Sequence, residues 1–268
     1  MSAAGNIAKG ESFLLARVLD WIAEIGRIAL LMLDTFRMLI PALRRPRLII
    51  DEMYAIGVQS LPLVLIVSVF TGAVAAVQAA YQFSSVVPLK FIGSVILRSV
   101  IIELGPVLTA LIVGGRVGAA IAAELGTMRV TEQIDALEAM AINPVRYLVV
   151  PRVVAAVIML PVLTMIANTV AVFGGYVVAT TSIGVSTHTY VTGLQNFFYL
   201  RDLMSGLIKA FVFGGIISWM GCYHGFRTEG GAEGVGQATT RAVVSSCVLV
   251  LINDYVLANV LFRFIFAS

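Results

Sequence analysis

Charged residues are scarce in this sequence. Only 12% of its 268 residues are Asp, Glu, Lys or Arg, against roughly 25% in soluble domains. None lies within residues 53–89 or 153–200. Each run exceeds the roughly 20 apolar residues with which a helix crosses a bilayer. An apolar fraction of 59% and a mean hydropathy of +0.98 agree, so we expect an integral membrane protein rather than a water-soluble domain.

Motifs for catalysis and for bound groups are also missing. The sequence has no GxxxxGK[ST] phosphate loop, no HExxH and no GxSxG, so it does not bind ATP by the phosphate-loop route. Cys222 and Cys247 form no CxxC or zinc pattern, and His188 and His224 are far apart. We expect no enzymatic activity, metal or cofactor in this chain. The modest net charge of +3 fits a membrane surface better than nucleic acid.

The apolar segments predict an all-α protein, because lipid requires each backbone polar group to be paired within a helix or a closed barrel. A barrel would show short alternating strands, whereas these segments are continuous. Pro161 is expected to kink the third of five predicted spans. The five spans lie at about residues 60–81, 99–123, 153–180, 203–223 and 242–264.

Residues 13–40 predict an amphipathic helix ahead of the spans. Its charged residues recur at steps of three, four and seven, namely Arg17, Asp20, Glu24, Arg27, Asp34 and Arg37. Such a stripe favours a helix in the plane of the membrane interface, and a first spanning helix with buried charges is the alternative. We therefore divide the chain into an interfacial helix with a basic linker (residues 1–52) and a five-span domain (residues 53–268). Basic residues place the N-terminus in the cytoplasm, which puts the C-terminus outside.

A different kind of element separates the second and third spans. Residues 127–142 predict a short charged helix, with Thr131 as its cap and with Glu132 and Asp135 in its first turn. Ile134, Leu137 and Ala141 share one face. Such a helix suits presentation to a cytoplasmic partner, and an interfacial helix lying on lipid is the alternative.

Charges inside the spans are the best indicators of function. On the predicted topology Glu103, Lys209 and Asp254 lie in the outer half of the bilayer. Because an isolated charge at mid-membrane costs at least about 2.5 kcal/mol, we expect Lys209 to pair with Glu103 or Asp254. A structural ion pair and a substrate path are both compatible with this pattern. Arg116 lies nearer the cytoplasmic end, where it can reach headgroups.

Small residues line one face of the second span. Gly114, Gly118 and Ala122 form a stripe of the kind that lets helices approach closely. We therefore predict a packing role for this stripe.

Several blocks of the sequence resemble a known family. The block IELGPVLTALIVGGRVGAAIAAELGTMRVTEQIDALEAMAINPVRYLVVPR (residues 102–152), with FTGAVAAVQ, QATTRAVVSS and the regions of Lys209 and Asp254, strongly resembles the MlaE/YrbE permeases. These are membrane subunits of lipid-transporting ABC systems. The family pattern often has Arg-Glu where this chain has Ile102-Glu103, and Arg98 is the candidate substitute.

The resemblance implies a permease homodimer in a bacterial inner membrane, with a separate ATP-binding ATPase pair in the cytoplasm and an MCE-domain protein outside. It implies phospholipid as substrate and leaves a STAS-type small subunit open. The charged helix would be the coupling helix, contacting the ATPase through Glu132, Gln133, Asp135, Leu137 and Glu138. The alternatives are an ion-coupled secondary transporter using Glu103 and Asp254, which would show internal repeats, and a membrane scaffold.

A candidate lipid contact follows on the first span. Phe70, Gln78 and Tyr81 are eight and three residues apart, so they share one helix face. We expect them to face a lipid held between the first and fifth spans of the dimer. The alternative is that Phe70 packs against a neighbouring helix and Gln78 bonds across helices.

Overall fold

The computed structural model describes residues 3–83 and 91–265, which are helical apart from short turns. Eleven α-helices follow one another in these described residues, with a 3₁₀ turn at Val58–Ser60 and π-helical turns at Val100–Leu104, Gly114–Gly118 and Val145–Val149. The α-helices are α1 (Ala3–Ala42), α2 (Pro46–Ile56), α3 (Leu61–Phe83), α4 (Ile92–Ser99), α5 (Gly105–Val113), α6 (Ala119–Val130), α7 (Gln133–Ala139), α8 (Val150–Thr181), α9 (Thr187–Asn196), α10 (Leu200–Phe226) and α11 (Gly231–Ile265).

Within the part of the chain that the structure describes, five helical segments are long and apolar enough to cross a membrane, which confirms the predicted number and fold class. They are Pro46–Gln82, Ile92–Val130, Val145–Thr181, Leu200–Phe226 and Gly231–Arg263. Most extend well beyond the predicted bounds, because the helices continue past the charge-free stretches. At about 1.5 Å per residue, the longest exceed the roughly 30 Å of a hydrocarbon core. Their charged ends therefore reach the interface or the water beyond it.

Helix α1 precedes the spans and is not one of the five. It begins ten residues before the predicted start at Phe13, while the surroundings of Arg17 and Asp20 lie outside the described side chains. The expected break at the basic linker is short, since α2 already starts at Pro46 and runs into the first span. The proposed boundary after residue 52 falls inside α2.

Close approaches hold the bundle together. A Cβ on Gly72 of α3 would lie 1.7 Å from the carbonyl oxygen of Ala171 on α8, and one on Gly174 would lie 2.4 Å from that of Val69. Only glycine allows these two backbones to touch. Helix α8 continues through Pro161 as one helix and packs against α3 and α10.

The small-residue stripe of the second span is buried in the bundle. Gly114, Gly118 and Ala122 lie in the interior, and Cβ atoms on the two glycines would come within ordinary contact distance of Ile217 on α10. Tighter backbone contacts lie elsewhere, between α3 and α8 and also on α10, where a Cβ on Gly206 would lie 2.3 Å from the Ile101 carbonyl oxygen and one on Gly214 would lie 2.5 Å from that of Ala156.

Helix α9 was not predicted from the sequence. The Ser186 hydroxyl caps it by accepting a hydrogen bond from the Thr189 amide at 3.1 Å. Tyr190 is buried and donates to the Val172 carbonyl at 3.0 Å, and α9 packs on α4. It therefore closes the ends of the second and third spans farthest from α7.

Candidate functional site

Two carboxylates from separate spans meet the ammonium group of Lys209 on a third. The Lys209 side chain on α10 is fully buried, with Nζ 2.6 Å from Glu103 Oε2 and 2.9 Å from Asp254 Oδ1 on α11. The expected pairing is therefore present, and Lys209 contacts both carboxylates rather than one. One ammonium between two carboxylates leaves a formal charge of about −1 when all three are ionised. Glu103 is 45% exposed at its side chain, so the cluster opens toward the outside of the protomer.

The backbone around Glu103 departs from regular α-helix. Pro106 has no N–H and cannot donate to the carbonyl of Ile102 as an α-helical residue would. The Gly105 amide instead bonds to the Val100 carbonyl, which makes the turn at Val100–Leu104 π-helical. Such turns often occur at functional sites. Glu103 thus sits in an irregular turn rather than on a regular helix face.

Arg98 forms a separate pair near the start of α10. Its Nε donates to Asp202 Oδ2 at 3.0 Å, and Asp202 is nearly fully buried. The Arg98 guanidinium also lies 5.9 Å from the centre of the Tyr199 ring. The candidate substitute for the missing basic residue is therefore bound to Asp202, a partner that the sequence did not suggest.

The three candidate lipid-contacting residues of α3 all lie on its open side. Phe70 is 66% and Tyr81 is 85% exposed, and Gln78 is also exposed. Gln78 and Tyr81 line a groove of about 670 Å³ with Val74 and Val77, and Phe70 does not line it. The exposure of Phe70 argues against the alternative that it packs on a neighbouring helix of the same protomer. Since α3 packs on α8 while α11 packs on α10 and α6, this groove is not formed between the first and fifth spans of one protomer.

The charged helix between the second and third spans is shorter than expected. Helix α6 continues to Val130, so that α7 covers only Gln133–Ala139. The prediction that Thr131 caps it is wrong: Thr131 ends α6 and its hydroxyl donates to the Thr127 carbonyl at 2.8 Å. Glu132 occupies the N-cap position instead, with φ of 60°, a conformation that non-glycine residues rarely adopt.

Helix α7 has one buried anchor and an exposed charged side. Ile134 is 1% exposed and packs in the core of the bundle, with Leu137 partly buried beside it. Its exposed polar residues are Glu132, Gln133, Asp135 and Glu138. Ala141 is exposed, so it does not share the buried face as expected. The Asp135 carboxylate pairs with Arg129 at the end of α6.

Arg116 contacts protein rather than the predicted headgroups. Its guanidinium donates to Ser60 Oγ at 2.7 Å, to Gln59 Oε1 at 2.8 Å and to the Ala55 carbonyl at 3.1 Å. These contacts join the second span to the turn between α2 and α3.

Helix α1 is attached to the end of α10. Glu24 lies 3.3 Å from Arg227 Nη1, and Phe36 packs against Trp219 with ring centres 5.6 Å apart. Burial alone would raise the pKa of Glu24, but hydrogen bonds with Tyr223 and Arg27 and the charges of Arg227 and Arg27 together lower it. The charged stripe is thus partly used in holding α1 to the bundle.

The five spans and the charges inside them define a multi-pass helical membrane protein. The chain belongs to the MlaE permease family, whose model, described as Permease MlaE, matches residues 49–260. A probable ABC transporter permease protein of Rickettsia typhi is 46% identical over 216 residues, covering 81% of this chain and 83% of the relative. One of Synechocystis is 42% identical over 214 residues, covering 80% and 81%. The intermembrane phospholipid transport system permease protein MlaE of Haemophilus influenzae is 34% identical over 250 residues, covering 92% and 95%.

Proposed function

We propose that this chain is the membrane permease subunit of an ATP-driven phospholipid transporter in a bacterial inner membrane, exchanging lipid with an outer membrane. The observation that carries the proposal is the similarity to the Haemophilus influenzae phospholipid permease, which runs along 92% of this chain. The buried but laterally open Lys209 cluster supports it, because charges inside a membrane protein usually mark a path for a substrate or an ion.

The working unit is a homodimer. Only 28% of the first span's most apolar window and 11% of the fifth span's are buried within the protomer, compared with 44–56% for the other three. Tyr255 and Phe262 are among the large apolar side chains that α11 leaves exposed. A second copy covering these two spans would enclose a lipid between them.

Lipid contacts come from two places in that dimer. Phe70, Gln78 and Tyr81 supply an aromatic and polar wall on α3, and the Lys209 cluster supplies charge on the other side. The half-exposed Glu103 is the member of the cluster that meets the polar headgroup region of the lipid, while the buried Lys209 holds the two carboxylates in place. Lipid specificity should be loose, since apolar walls distinguish one methylene by only about 1–3 kcal/mol.

The other subunits attach at opposite ends. Helix α7 offers Glu132, Gln133, Asp135 and Glu138 on its exposed surface and binds the cytoplasmic ABC ATPase, which holds the ATP. An MCE-domain protein docks on the outer face, and a STAS-type small subunit can accompany the ATPase.

Purification in mild detergent tests this function directly. We expect the chain to copurify as a dimer with an ABC ATPase and an MCE-domain protein, and to retain phospholipid that native mass spectrometry identifies. A monomer that binds no ATPase and retains no more lipid than an unrelated five-span protein of similar size would refute the proposal.

A further inference from the structure

Arg152 is buried between two glutamates at the ends of the first three spans nearest α7, and the lipid path does not use it. It is 3% exposed. Its Nη2 lies 2.8 Å from Glu124 Oε1, and its Nε lies 3.3 Å from Glu52 Oε1. Its Nη1 donates to the Leu148 carbonyl at 2.8 Å. A single side chain therefore joins α2, α6 and the start of α8.

These contacts lie at the base of the segment that carries α7. Glu124 is on α6, the helix before α7, and Arg152 is in the first turn of α8, the long helix after it. The Arg152–Glu124 pair thus links the two ends of the segment to each other. Ile134 of α7 is buried in the same apolar cluster as Leu125 and Leu148. A displacement of α7 must therefore move the ends of α6 and α8 to which Arg152 is bound.

Glu52 connects this base to the first span. Helix α2 is followed by the short turn at Val58–Ser60 and then by α3, which carries Gln78 and Tyr81. Arg116 holds that turn through Gln59 and Ser60. Motion passed to Glu52 would therefore reach the helix that lines the candidate lipid path.

The two contacts of Arg152 differ in kind. The short distance to Glu124 is typical of a charge-assisted hydrogen bond, whereas the buried Arg152 Nε has no hydrogen-bond partner in the described structure and meets Glu52 as an ion pair only. A buried ion pair is weak evidence for stability, but it can fix the relative position of the elements it joins. The Glu52 contact is the looser of the two and can change between states.

We propose that Arg152 is a positioning residue that passes the displacement of α7 to α2, and so to α3, through Glu52. This inference rests on the proposed function, in which α7 receives movement from an ATPase. It assigns to Arg152, Glu124 and Glu52 a role in coupling and not in binding lipid.

The test uses the complete transporter with its ATPase in proteoliposomes and measures ATP hydrolysis and lipid movement together. The variant Glu52→Gln keeps the shape of the side chain and leaves the Arg152–Glu124 pair intact. We expect ATPase binding, hydrolysis rate and melting temperature to be retained while lipid moved per ATP falls about two- to thirtyfold, the range for residues that carry coupling. Asp51→Asn is the matched control, because Asp51 is an exposed acid next to Glu52, and it should leave the ratio unchanged.

A second variant keeps the inference open to refutation if Glu52→Gln folds poorly. Arg152→Lys retains the charge but lacks the planar fork that contacts two partners, and it should lower the same ratio. An unchanged ratio in both variants, or equal losses of hydrolysis and lipid movement, would overturn the inference. If the wild-type complex hydrolyses ATP but moves no lipid, the proposed function fails instead.

Discussion

Substitutions in the Lys209 cluster test whether its ion pairs stabilise the protein. In Lys209→Ala two carboxylates from different helices lose the ammonium that lies 2.6 and 2.9 Å away. Removing one partner of a buried ion pair typically costs about 3–5 kcal/mol, because the remaining charge stays desolvated. Glu103 is half-exposed and can regain water, so we expect a value near the lower end, about 3 kcal/mol.

A charge-neutral variant separates the loss of the lysine from the burial of unpaired acids. Combining Lys209→Met with Glu103→Gln and Asp254→Asn removes all three charges and nearly preserves their volumes. Replacing a whole buried pair by neutral groups is often close to neutral in stability, so the triple variant should regain most of the lost stability. Unfolding of the detergent-solubilised protein, followed by fluorescence, measures both. Ile208→Ala is the control for shortening a neighbouring side chain on α10, and it should cost about 1 kcal/mol or less, as expected for a residue 37% exposed.

Two outcomes would refute this reasoning. Equal stability of Lys209→Ala and the wild type would show that the ion pairs contribute nothing, and a triple variant as unstable as the single one would show that unpaired acids are not the cause. Transport then separates structure from function: a triple variant that is stable but moves no phospholipid supports a lipid-path role. Full transport by that variant would leave the cluster a structural role only.

Three further predictions concern other parts of the chain. Changing Asp135 and Glu138 to Lys should reduce ATPase binding while the chain still inserts, and normal copurification of the ATPase would contradict the assignment of α7. A photoreactive residue at position 78 or 81 should capture phospholipid in membranes that contain the whole complex, whereas capture of protein alone would move the path elsewhere. Because the pKa of Glu24 is lowered below its ordinary value of 4.5, the Glu24–Arg227 contact should contribute stability above that pH and lose it as the pH falls through the lowered value. Hydrogen exchange in α1 should increase at that step, and Glu24→Gln should abolish the step.

The spans were predictable because charge is excluded from lipid regardless of the details of packing. The charge-free stretches 53–89 and 153–200 could be assigned to the membrane without knowing which helices pack against them. The cost of an isolated charge in the membrane also made it necessary for Lys209 to pair with an acid. Helix ends were less predictable, because a charged residue near a span end is compatible with either a loop or a continuing helix. For this reason the prediction ended the second span at about residue 123, whereas α6 continues to Val130.

Partners across the bundle were harder to predict, because sequence spacing relates residues within one helix and not between helices. Asp202 and Arg98 are 104 positions apart, and nothing in their local patterns connects them. Glu124 and Arg152 did leave a signal. Each is a charge near the end of a span, and together they flank the segment that contains α7. The burial of Arg152, and its pairing with Glu124 rather than with Glu138, which is nearer in sequence, nevertheless required the structure. Glu52 required the structure, since only the packing of α2 on α8 brings it to the same point.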